Sequence, residues 1–70
     1  MLTIEQIIEH AERAIAEDHL AGNRAGLRNT QLACGFLMAA ANAAGDRESA
    51  TRFRNLAARA ANMSEALEEQ

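Results

Sequence analysis

The sequence predicts an all-α fold of three helices, at about residues 3–21, 24–44 and 47–68, and three observations lead there. Half of the apolar content, which is 49% of the chain, is alanine, the strongest helix former. Valine, tryptophan and tyrosine are absent, and phenylalanine occurs only as Phe36 and Phe53, so the residue types that strands favour are missing. Apolar residues recur at intervals of three and four, the spacing of one helix face.

Helix one begins at a marked boundary. Thr3 and Gln6 have the spacing of a capping box, and Leu2 can pack on Ile7. Ile4, Ile8, Ala11 and Ile15 form one stripe, with Ile7 and Ala14 beside it, while Glu5, Glu9, Glu12, Arg13 and Glu17 take the other face. Gly22 suits the left-handed residue that ends a helix.

Helix two starts polar, with Arg24, Arg28 and Asn29 around Leu27, and then turns almost wholly apolar. From Leu32 to Ala44 only Asn42 is plainly polar. A helix apolar on nearly every face requires cover on several sides, and this run is too short to cross a bilayer. Gly35 costs roughly 1 kcal/mol against alanine inside a helix. The sequence-level expectation is that it admits a second helix at close range.

Helix three has Asp46 as its N-cap. Ala50, Phe53, Ala57, Ala60, Ser64 and Leu67 recur at three and four, flanked by Leu56 and Met63. Leu37, the Gly45-Asp46 turn, Ala50 and Ala57 together resemble one tetratricopeptide-type helical hairpin. The family's small first-helix residue is replaced by Met38, its aromatic by Ala41 and its closing proline by Asn62. The resemblance implies that helices two and three form an antiparallel hairpin.

Seventy residues form one small domain, 1–70, at a size where a single core barely supports folding. Small domains gain stability from disulfides, metals or association. Cys34 is the only cysteine, so no disulfide forms within the chain. His10 and His19 fall on different faces and lack a metal-ligand spacing. Association remains, and the expectation is a homodimer or larger assembly completing a helical bundle. Cys34, Gly35, Phe36, Met38, Ala41 and Phe53 are the expected oligomer interface.

Function is less constrained. No cofactor is implied, nor catalysis: Cys34 sits in the most apolar run with no local base, and the glycines are too scattered for a phosphate loop. The net charge of −3 disfavours nucleic acid. Without a basic start followed by an apolar core, the N-terminal stretch reads as no export signal, and the expected location is cytoplasmic, with no membrane partner. The leading expectation is a protein-binding regulator, inhibitor, adaptor or chaperone whose partner-binding residues are Arg24, Leu27, Arg28, Arg52 and Arg54. One alternative is a DNA-binding or antitoxin-like regulator using helix three. Another is an oligomer holding a small anionic ligand, such as a nucleotide, between arginines, since all seven basic residues are arginine and its planar fork suits phosphate and carboxylate.

Overall fold

A computed structural model describes residues 1–69; the last residue of the expected domain, Gln70, lies outside the described residues. Three helices follow one another: α1 (Ile4–Ala21), α2 (Arg24–Ala43) and α3 (Arg47–Glu68). The described residues contain no strand.

Each helix starts at a residue whose side chain accepts a free backbone N–H. Thr3 and Gln6 form the expected capping box, with Gln6 Oε1 accepting from the Thr3 N–H at 2.9 Å. Asn23 caps α2 by accepting the Gly26 N–H at 3.0 Å. The polar segment from Arg24 is therefore helical from its first residue. Asp46 caps α3 through the Ser49 N–H at 3.1 Å, and accepts the Ser49 hydroxyl as well, at 2.7 Å. Gly22 and Gly45 take positive φ, 67° and 79°, where a side chain is strained. The two short turns they permit set consecutive helices antiparallel. α3 runs unbroken past Asn62, and the hairpin of α2 with α3 is the closest packing in the fold.

The core is a narrow seam. Ile8, Ala11 and Ile15 enter it from α1, and Ala50, Phe53, Leu56 and Ala60 from α3. α2 contributes only two fully covered apolar side chains, Leu27 at 0% exposure and Cys34 at 1%. Seven residues separate them, two helical turns, so they lie on one line of the helix. Leu37, Met38 and Ala41 pack beside that line, half-buried.

Within the single chain α2 is not enclosed on several sides: Leu32 is 62% exposed and Phe36 75%. Nor does Gly35 admit another helix of the same chain, since a Cβ built there meets no atom within 4 Å. The close approach is at Gly26, where a Cβ would stand 2.6 Å from Asp18 Cγ and 2.8 Å from Asn23 Nδ2. The tight spot lies at the α1–α2 turn, where the chain doubles back.

Two substitutions check this packing by denaturant unfolding. Leu27→Ala empties a fully covered site and should cost about 2–5 kcal/mol. Gly35→Ala should instead stabilise by up to about 1 kcal/mol, because helix propensity is gained against open space.

Candidate functional site

The expected interface residues separate into two groups. Cys34 and Phe53, at 1% and 3% exposure, belong to the chain's own core, and Met38 and Ala41 pack against it. Met38 and Ala41 are only half-buried, and Met38, Ala41 and Phe53 border open grooves. Of the six, only Phe36 stands well into solvent, with Gly35 partly exposed beside it.

Helical geometry explains the division. At 100° per residue, Leu27, Cys34 and Ala41 point one way, and Leu32, Phe36, Ala40 and Ala43 point to the opposite side. All four of these outer residues are exposed. The segment 29–45 contains no charged residue. The outer side of α2 is therefore an uncharged apolar stripe with nothing packed on it.

A groove between α1 and α2 adjoins the stripe. Ile4 and Ile7 form one wall, Leu37, Ala40 and Ala44 the other, and Phe53 lies at the base, around about 230 Å³. Asp46 is the only charged residue on its rim. Ala40 belongs to both the stripe and the groove wall, so the two are one continuous surface. Ile4, expected on the apolar stripe of α1, is 42% exposed, and Leu2, expected to pack on Ile7, 70%. The sequence reading missed this groove. Its signal was the second apolar position on each helix, Ile7 beside Ile8 and Ala40 beside Ala41.

The arginines differ in how free they are. Arg52 grips both carboxylate oxygens of Glu5, with Nη2–Oε2 at 3.1 Å and a shorter Nη1–Oε1 contact. This pair joins acidic α1 to α3 and leaves Arg52 occupied. Arg24 pairs with Glu68 at 3.0 Å, both side chains more than half exposed, which adds little stability. Arg28 is exposed beside it on a shallow groove shared with Ala25, Ser64 and Glu68. Arg54 and Arg47 line another groove with Met38, Asn42 and Thr51. Leu27, expected on the partner-binding face, is corrected to a core residue: its position on α2 points between α1 and α3 and leaves it no exposed surface.

Electrostatics follow these contacts. Hydrogen bonding to Arg52, then the attraction of its charge, holds the Glu5 carboxyl below its ordinary value of 4.5. Asp46 is likewise lowered by the Ser49 hydroxyl and backbone N–H. Burial pushes the Cys34 thiol upward, away from the thiolate form that a nucleophile or metal ligand needs. Among the described residues no three of His, Cys, Asp and Glu gather as a metal site, and no helix is long and apolar enough to cross a membrane.

Two outcomes follow. The folded chain binds fewer protons at Glu5 than the unfolded chain, so this contribution is complete above about pH 4.5 and is lost as pH falls through the lowered folded value. Glu5→Gln should make the acid side of the stability curve shallower, and about 1 M salt should do much the same through screening. Native Cys34 should react with iodoacetamide at neutral pH far more slowly than in denaturant; equal rates would show an accessible thiol.

In comparisons with known proteins, no family model, no curated protein and no solved structure matches this chain.

Proposed function

We propose that this chain is a small helical interaction module that associates with itself and acts by binding another protein, as a regulator, inhibitor, adaptor or chaperone. The observation that carries the reading is the uncharged outer side of α2, where Leu32 and Phe36 stand 62% and 75% exposed. Scattered apolar residues are ordinary on a protein surface, but a continuous stripe joined to an apolar groove marks a binding surface. Nothing charged has to be stripped of water to cover it, which removes one cost of association.

The partner protein is assigned to the second surface, around Arg28. Arg28 is exposed and without an ion-pair partner among the described residues, and Arg24 beside it holds only a solvent-exposed pair. Arginine is often a dominant residue at protein interfaces. Arg52 drops from this surface because Glu5 holds both ends of its fork. That loss also weakens the DNA-binding alternative, because Arg52 lies on α3, the helix that reading uses. The anion-binding alternative keeps one supporting observation, the groove where Arg47 and Arg54 flank Asn42 and Thr51.

Capture from cell extract on the immobilised chain, compared with an Arg24→Ala/Arg28→Ala double variant, tests the assignment. A protein retained by the wild type and lost by the variant, at unchanged melting temperature, is the expected result. Identical capture by both would remove the partner from this surface. Millimolar phosphate or ATP should leave the melting temperature unchanged. A rise in the wild type that Arg47→Ala/Arg54→Ala abolishes would favour the anion reading.

A further inference from the structure

The two arginine grooves lie along one seam of the α2–α3 hairpin. Arg28 lines the groove at one end, and Asn42 lines the other together with Arg47 and Arg54. Arg28, Gly35 and Asn42 are spaced at seven, two helical turns, so they form one line of α2. Arg47, Arg54, Ala61 and Glu68 repeat that spacing on α3. The two lines run antiparallel and side by side: Arg24, one turn before Arg28, meets Glu68 at 3.0 Å, and Asn42 shares its groove with Arg47. The grooves are therefore the two ends of one seam, with Gly35 and Ala61 between them.

The ends of the seam are basic and its middle is small. Four arginines line the two grooves against one acid, Glu68, although the chain as a whole has a net charge of −3. Glu68 is taken up by Arg24. Arg28, Arg47 and Arg54 are exposed and have no ion-pair partner among the described residues. Even with Glu65, exposed one turn before Glu68, the seam stays positive. In its middle a Cβ on Gly35 would meet nothing within 4 Å. This glycine costs α2 helix propensity without serving the chain's own packing, and it leaves the floor of the seam low.

A groove between two helices takes a third helix, and an arginine fork takes a carboxylate on two hydrogen bonds. Fourteen residues separate Arg28 from Asn42, about 21 Å of helix and close to four turns. A helix laid along the seam thus reaches both basic ends with acids about four turns apart on one face. We propose that the seam between α2 and α3 docks an acidic helix of the partner protein, with carboxylates on Arg28 at one end and on Arg47 and Arg54 at the other. This rests on the partner assignment to Arg28 made above and names the chemistry of that partner.

The probe is a fluorescein-labelled, alanine-based helical peptide of about 20 residues, with two glutamate pairs about four turns apart on one face. A control peptide carries the same glutamates about two turns apart. Fluorescence anisotropy on the full chain at low salt should show the wide-spaced peptide binding about fivefold more tightly or better, because only it engages both ends at once. Arg28→Ala/Arg54→Ala should weaken that binding about tenfold or more, at unchanged melting temperature. Gly35→Leu should weaken it as well by filling the seam, while its melting temperature stays at or above the wild-type value. Equal binding of the two peptides, no binding at millimolar peptide, or full binding by Gly35→Leu overturns the proposal. So does an oligonucleotide of equal charge that displaces the probe as well as unlabelled peptide does, because the seam then takes any polyanion. Capture from cell extract that is lost in Arg24→Ala/Arg28→Ala but unchanged in Gly35→Leu overturns the acidic-helix assignment and leaves the partner surface at Arg28 standing.

Discussion

The structure depends on covering one line of α2. Leu27 and Cys34, two turns apart and fully enclosed, lie where α1 and α3 both reach the middle helix. Ile8 and Ile15 close over that line from one side, Phe53 and Leu56 from the other. A core this narrow is what alanine-rich helices produce: they approach closely, but each alanine buries little area. Covering more of α2 would need larger side chains on its neighbours, and these are not present. The free apolar side of α2 is therefore a direct result of how the core is composed.

The ends of the helices and the charged contacts guide this packing without carrying it. Thr3, Asn23 and Asp46 each start a helix by accepting a backbone N–H, and Gly22 and Gly45 turn the chain sharply enough for neighbours to lie antiparallel. The Glu5–Arg52 pair ties the start of α1 to α3. The apolar groove lies at the same end of α1, with Ile4 and Ile7 on its wall. A solvent-exposed pair contributes little energy, and its effect here is on which neighbour α1 follows.

Much of this was legible in the sequence, and the failures have physical causes. Capping residues and the three–four spacing placed all three helices within a residue or two, because these signals are local. The hairpin of α2 and α3 followed from the short Gly45-Asp46 turn. What the sequence could not show was the depth of cover. Composition presented 32–44 as requiring cover, yet how much of it the chain itself supplies depends on the width of the neighbouring stripes, which differs between an isoleucine and an alanine. The same limit misplaced Leu27, set among polar residues but wholly enclosed. Gly26 likewise drew no notice, because its constraint comes from Asp18 across the turn. Arginine pairing depended on which acid each side chain meets, a long-range property that no local spacing carries.

The proposed self-association requires that a second copy covers apolar surface of the chain when it is alone in solution. Small-angle X-ray scattering over a concentration series measures this in one experiment, through the mass from the forward scattering and the radius of gyration. The single chain has a Cα radius of gyration of 12.1 Å and a mass of 7.6 kDa. The account predicts a concentration-dependent rise to twice that mass, a plateau there, and a radius of gyration clearly above the single-chain value. A constant mass of 7.6 kDa with a radius near 12.1 Å up to the highest concentration would contradict it.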